Sequence, residues 1–131
     1  MLFGALTLNE VSAQTYVLSP IPVDVSEEMV ESNRKNGIGR IVMVNCYEES
    51  YYIDLVSKSN GNIYTLRSCA KDDIIMGDHA HTYAYFLKAG DYYILSTTAA
   101  YPVTFNGRAF YKEDIITVSA NGNYIYFREP R

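Results

Sequence analysis

Residues 101–111 read Tyr-Pro-Val-Thr-Phe-Asn-Gly-Arg-Ala-Phe-Tyr, which predicts two short strands joined by a tight turn. Asn-Gly between alternating apolar runs is a strong hairpin signal, because a type I′ turn needs a positive φ at both central residues. The same pair recurs at Asn60-Gly61 and Asn121-Gly122, again between runs rich in Tyr, Ile and Val. The sequence therefore predicts a chain built mainly from β-hairpins.

Further candidate strands extend outward from these turns. Arg40–Cys46 is almost entirely apolar, which is typical of a central strand buried on both faces. Thr82–Leu87 and Tyr92–Ser96 are joined by residues 88–91, and we expect them to form the strongest hairpin. The pattern gives about eight to ten strands with a turn signal every ~8–12 residues, which favours a sandwich or a closed barrel.

The fold class predicted from this pattern is all-β: an antiparallel two-sheet β-sandwich, immunoglobulin-like or jelly-roll, with one short helix near residues 25–34. Asp24 and Glu27 fit a capping box at the start of the helix, and Asn36-Gly37 can end it. Residues 83–94 and 121–127 resemble strands of secreted bacterial β-sandwich modules. That resemblance implies a sandwich and says nothing about a ligand.

Composition excludes several classes of function. The chain has 131 residues and a formal charge of −4, and its Lys and Arg are scattered, whereas a nucleic-acid binder needs a basic stripe. No apolar run reaches the ~18 residues that a membrane span requires. Because no nucleotide, cofactor or nucleophile motif is present, we expect no cofactor and no enzymatic activity.

The N-terminus indicates secretion. Residues 1–8 form a short apolar run, and Val11-Ser12-Ala13 before Gln14 is typical of a signal-peptide cleavage site. We therefore interpret residues 1–13 as a signal-peptide remnant and residues 14–131 as a single domain that is secreted, periplasmic or on the cell surface. The alternative is that Ala5–Leu8 forms a frayed strand of the fold.

The two cysteines allow a test by register. If Asn60-Gly61 and Glu48-Glu49 are two-residue turns, Cys46 and Cys69 lie on opposite sides of the strand between them. Two strand spacings amount to about 9.6 Å, beyond the ~7 Å Cα limit for a disulfide. This register argues against a disulfide, although a bulge or a bend at Cys69 could still close the gap.

Asp78-His79-Ala80-His81 is the one cluster with metal-ligand character. On a strand, His79 and His81 would point to the same face about 6.6 Å apart, and Asp78 could supply a third ligand. A small metal-dependent hydrolase is therefore one hypothesis. The alternative is a polar strand entrance with one His hydrogen-bonded near the rim.

The chain contains 13 Tyr and no Trp. Because a sandwich core takes one row of each strand, at least one row of Tyr should face outward, where rings can stack on sugars or pack against a partner. The candidate ligand-binding residues are Tyr83, Tyr85, Tyr92, Tyr124 and Tyr126. We favour a non-enzymatic module that acts through protein–protein contact, with a carbohydrate-binding module as the alternative. The predicted partner is thus a protein or a glycan.

Overall fold

A computed structural model describes residues 13–44, 46–70 and 82–130 of the chain. One helix and thirteen strands make up this described part. In chain order they are β1 (Thr15–Val17), β2 (Ile21–Pro22), α1 (Val23–Lys35), β3 (Ile38–Met43), β4 (Cys46–Tyr47), β5 (Tyr52–Ser57), β6 (Ile63–Arg67), β7 (Cys69–Ala70), β8 (Tyr83–Lys88), β9 (Gly90–Thr97), β10 (Ala100–Phe105), β11 (Arg108–Phe110), β12 (Ile115–Val118) and β13 (Asn123–Arg128).

The strands form two open sheets packed face to face, which confirms the predicted β-sandwich. The first sheet has the order β1-β6-β5-β9-β12, and the second has the order β11-β10-β13-β3-β8-β2. Each sheet ends in edge strands, so neither closes into a barrel. A separate two-stranded pair joins β4 to β7.

The core lies between the two sheets and takes buried side chains from most of their strands, although β1, β2 and β11 contribute none. Leu55 and Ile94 from the first sheet and Ile41 from the second are fully buried. The prediction that residues 40–46 contribute a central buried strand is confirmed, since β3 lies between β13 and β8 and buries Ile41, Val42 and Met43.

Both sheets are mixed, whereas antiparallel pairing was expected. Most pairs are antiparallel, but β1 runs parallel to β6 and β13 runs parallel to β3. Two of the three predicted Asn-Gly hairpins form. Asn106 and Gly107 both have positive φ, at 50° and 83°, and connect β10 to β11 as a type I′ turn requires.

The Asn60-Gly61 hairpin also forms, with a longer loop than the sequence predicted. Ser57 donates its backbone N–H to the carbonyl of Asn62, so residues 58–61 make a four-residue loop. The pairing therefore shifts, and Tyr52 lies opposite Arg67.

Two other predicted hairpins are wrong. Residues 88–91 connect β8 in the second sheet to β9 in the first, and Asn121-Gly122 connects β12 in the first sheet to β13 in the second. A tight turn determines that the chain reverses direction. It does not determine in which sheet the next strand pairs, because that depends on which face of the strand packs on the core.

The predicted helix near residues 25–34 is present as Val23–Lys35, slightly longer than expected, and it begins differently. Its 13 residues follow Pro22 at the N-cap, where no side chain caps a backbone N–H, so the expected capping box is absent. The expected stop at Asn36-Gly37 is confirmed, with Gly37 at a φ of 74°. The helix packs on β2, β3 and β8, so it covers one half of the outer face of the second sheet. No helix of the described ranges is long and apolar enough to cross a membrane.

The register expected for the cysteines is wrong. Cys46 and Cys69 occupy directly paired Cα positions in the parallel β4–β7 pair, rather than positions two strands apart. The cause is the shifted Asn60-Gly61 hairpin together with the placement of β3 and β5 in different sheets. Cys69 is buried, and its thiol donates to the carbonyl of Ala70 at 3.2 Å.

Candidate binding surfaces

The five tyrosines singled out from the sequence divide into two groups. Tyr83, Tyr85 and Tyr92 are only 5%, 1% and 3% exposed and belong to the core. Tyr124 and Tyr126 lie on the outer face of the second sheet, where they are 49% and 43% exposed. The rings of Tyr83 and Tyr85 are closed to a ligand in this structure. Tyr92 is almost fully buried but lines a cavity at one end of the sandwich, and the rings of the second group are open.

Alternation along β13 explains the exposure of Tyr124 and Tyr126. Ile125 and Phe127 point into the core, so the residues between them point outward. Asn106 makes two hydrogen bonds to the backbone of Tyr124. The N–H of Tyr124 donates to the side-chain carbonyl of Asn106 at 2.7 Å, and the backbone N–H of Asn106 donates to the carbonyl of Tyr124 at 2.9 Å. The turn at Asn106-Gly107 thus fixes the strand that presents the two rings.

Small side chains flank these rings. Tyr126 is paired across the sheet with Thr104 on β10, and Thr104 is paired with Ala109 on β11. On the other side, Val42 pairs with Tyr124 and is buried. We call Tyr124, Tyr126, Thr104 and Ala109 the tyrosine face. It lies on the half of the sheet that α1 does not cover.

The buried tyrosines have structural contacts. The hydroxyl of Tyr85 donates to the carbonyl of Arg67 at 2.8 Å and accepts the backbone N–H of the same residue at 3.1 Å, so it joins the two sheets. The hydroxyl of Tyr92 donates to the carbonyl of Lys88 at 2.6 Å. Burial, with a smaller contribution from Tyr64, raises the pKa of Tyr92 to about 12. These side chains hold the sandwich together rather than present a surface.

A second feature lies at one end of the sandwich, and of its lining residues the sequence had singled out Tyr92 alone. Two cavities, of about 370 and 460 Å³, share Tyr64 and Lys88 in their linings. The first extends over the loop at 57–60 and the connection at 88–91, and the second extends toward the C-terminal end of α1. We call the two together the end groove. Its residues come from four separated segments, and no local sequence pattern reports such a juxtaposition.

The predicted metal ligands Asp78, His79 and His81 lie outside the described residues, and that prediction remains a prediction. Within the described ranges, no group of three or more His, Cys, Asp or Glu side chains is placed to hold a metal ion.

The chain was also compared with known proteins. Neither a protein-family model, nor a curated protein, nor a solved structure matches it.

Proposed function

We propose that this protein is a secreted, non-enzymatic β-sandwich module that works through protein–protein contact, with the tyrosine face as its contact surface. The observation that carries the proposal is the pair of exposed rings, Tyr124 and Tyr126, side by side on an uncovered sheet face. Tyrosine is enriched at protein interfaces because its ring buries a large apolar area while its hydroxyl keeps a hydrogen-bond partner.

The shape and chemistry of the face support contact with a protein. The flanking Thr104 and Ala109 are small, so the two rings project from a flat sheet rather than line a pocket. The members of the face offer ring surfaces and hydroxyl groups but no carboxylate–histidine pair for acid–base chemistry. A flat aromatic surface of this kind matches the central part of an interface, where one or two aromatic side chains supply most of the binding energy.

Secretion belongs to the same proposal and depends on the sequence pattern at Val11-Ser12-Ala13. An extracellular module that acts by contact would have its partner in the extracellular fraction of the source cells.

Site-specific photo-crosslinking tests the proposal. A benzophenone amino acid is placed at Tyr126 and, as a matched control, at Tyr52, which has a similar exposure of 41% on the other sheet. In the extracellular fraction of the source cells, we expect a discrete adduct from position 126 and none from position 52. The adduct should disappear when Tyr124 is also changed to Ser. Identical adducts at both positions, or no adduct at 126, would contradict the proposal.

A further inference from the structure

The end groove has the dimensions of a ligand site. Its two cavities, of about 370 and 460 Å³, each fall within the range of ~300–1,000 Å³ that is typical of small-molecule and cofactor pockets. Tyr64 and Lys88 line both cavities, so the two lie side by side and together extend further than either cavity alone. This shape suits a chain of several linked units better than a single compact molecule.

Aromatic rings form one wall of the groove. Tyr64 lines both cavities, and Tyr16 from the edge strand β1 stacks on it with centroids 5.5 Å apart and an interplanar angle of 18°. Tyr92 packs against Tyr64 in a T-shaped arrangement, with ring centroids 6.1 Å apart and an interplanar angle of 75°, and so supports the ring from the core side. Tyr16 is 41% exposed and so continues the aromatic surface toward solvent. A rigid ring wall of this kind can stack against the apolar face of a sugar ring.

The other walls carry groups that recognise hydroxyls and negative charge. Ser57 and Ser59 supply hydroxyls that share a hydrogen bond with each other at 3.0 Å, and Asn60 supplies an amide whose oxygen accepts the Asn62 N–H at 2.8 Å. Asp91 supplies a carboxylate that accepts the Thr117 hydroxyl at 2.7 Å. Lys58 and Lys88 supply two ammonium groups.

The two lysines carry charge that the described part of the protein leaves uncompensated. The ion pairs formed within the described ranges are Arg34 with Glu31 and Arg40 with Glu27, so neither groove lysine takes part in one. With Asp91 as the one acidic side chain of the lining, the groove is locally positive in a chain of formal charge −4. A locally positive groove attracts an anionic ligand at short range, and this attraction weakens as salt is raised.

Backbone hydrogen bonds hold the walls in place. The N–H of Lys58 donates to the carbonyl of Asp91 at 3.0 Å, which joins the 57–60 loop to the 88–91 connection. The N–H of Ala89 donates to the carbonyl of Gly37 at 2.8 Å, which joins the same connection to the end of α1. Because these bonds form without a ligand, binding would cost little ordering of the loops.

From these observations we propose that the end groove binds an acidic oligosaccharide, a chain of sugar rings of which some carry carboxylates. The exposed ring of Tyr16, at the margin of the groove, would stack on a sugar face with Tyr64 packed behind it. Lys58 and Lys88 would contact carboxylates, and the serines, Asn60 and Asp91 would contact hydroxyls. The Asp91 carboxylate accepts hydrogen bonds from sugar hydroxyls, which a polyphosphate lacks. This site is distinct from the tyrosine face, so the inference goes beyond the proposed contact function.

Calorimetry on a panel of oligosaccharides tests the inference. The panel contains oligomers of galacturonate, glucuronate and mannuronate and, as neutral counterparts, the methyl esters of the same oligomers. We expect micromolar-to-millimolar binding of at least one acidic oligomer, at least about tenfold weaker binding of its ester, and weaker binding as salt is raised. An acidic peptide of equal charge is included and should not bind.

Matched variants locate the binding. Tyr16→Ser should weaken it about tenfold, whereas Tyr52→Ser, at the same 41% exposure, should not. Lys58→Gln with Lys88→Gln should remove the salt dependence, whereas Lys112→Gln with Arg128→Gln makes the same change of net charge outside the groove and should not. Tyr124→Ser with Tyr126→Ser should leave sugar binding unchanged, which separates this inference from the proposed contact function.

The inference is overturned if no acidic oligomer binds, if the esters bind equally well, if the peptide binds in their place, or if the groove variants have no effect.

Discussion

Three buried tyrosine hydroxyls differ in what they contribute to stability: two form hydrogen bonds that stabilise the fold, and the third forms none among the described residues. Tyr92 and Tyr85 each donate a hydrogen bond from inside the sandwich. The Tyr101 hydroxyl is also buried, yet it has no hydrogen-bond partner among the described residues, and burial raises the pKa of Tyr101. A buried polar group without a partner costs free energy, whereas a paired one contributes about 0.5–1.5 kcal/mol.

Two Tyr→Phe substitutions therefore should have opposite effects. We expect Tyr101→Phe to raise the free energy of unfolding by up to about 1 kcal/mol, because it removes an unpaired hydroxyl and keeps the ring that stacks on Tyr111. Tyr92→Phe should lower it by about 1 kcal/mol, because it removes the bond to the Lys88 carbonyl. Urea denaturation of both variants checks the prediction, and a larger loss from Tyr101→Phe than from Tyr92→Phe would refute it.

The pKa of Tyr92 predicts how stability changes in alkali. An unperturbed tyrosine titrates near pH 10, whereas burial raises the pKa of Tyr92 in the folded protein to about 12. The folded state holds the proton more tightly, so this contribution is fully present below about pH 10 and is lost as pH rises through about 12. We expect urea midpoints to fall across that interval, and Tyr92→Phe should make the fall less steep. An equally steep fall in the variant would show that Tyr92 is not responsible.

At the scale of the elements, β3 packs closely against the segment that crosses between the sheets. A Cβ placed on Gly39 would lie 2.0 Å from the carbonyl oxygen of Ser119, a backbone atom that cannot rotate away. Asn123 holds this crossing together, since its side-chain amide donates to the carbonyls of Ser119 and Arg40 and its oxygen accepts the Ser119 N–H. The glycine is therefore required by close approach of two backbones.

We expect Gly39→Ala to lower the free energy of unfolding by about 3 kcal/mol, since the overlap forces the backbone to shift. Gly37→Ala serves as the control. It meets no atom within 4 Å and should cost only about 1 kcal/mol, from a φ of +74°. Chemical denaturation measures both, and equal losses would mean that the crossing does not touch β3 as described.

Some of the strand connections could be predicted from the sequence and others could not. Asn106-Gly107 and Asn60-Gly61 gave hairpins, because turn geometry is a local property. Residues 88–91 and Asn121-Gly122 did not, because a chain that reverses can pair with the strand before it or cross to the facing sheet. In strands such as β8, where both rows are apolar, alternation does not tell which row meets the core. The parallel contact of β13 with β3 joins distant segments and leaves no local trace.

Of the candidate sites, alternation along a strand predicted part of the tyrosine face, whereas the end groove left no local pattern in the sequence. Alternation placed Tyr124 and Tyr126 in one row with Ile125 and Phe127 opposite, and the structure shows that this row faces outward. The row that carries Tyr83 and Tyr85 faces inward, since α1 covers the opposite side of β8. The end groove could not be predicted, because its walls meet only after the two sheets have packed and α1 has docked.

For the molecule as a whole, the two proposed surfaces would give it two independent means of contact. The tyrosine face lies on the outer side of the second sheet, and the end groove lies at one end of the sandwich. A contact module with a separate groove for an acidic glycan could hold a partner protein while bound to a polysaccharide. Variants of one surface should therefore leave the other surface functional.

Tyrosine nitration followed by peptide mass spectrometry tests the central claim most directly. The purified protein and the protein in the extracellular material of its source cells are treated in parallel. We expect Tyr124 and Tyr126 to be nitrated in the purified protein and protected in the native material. The exposed Tyr52 and Tyr111 should be nitrated in both preparations, and the buried Tyr83 and Tyr85 should be nitrated in neither. Equal nitration of Tyr124 and Tyr126 in the two preparations would contradict the claim that the tyrosine face is a contact surface.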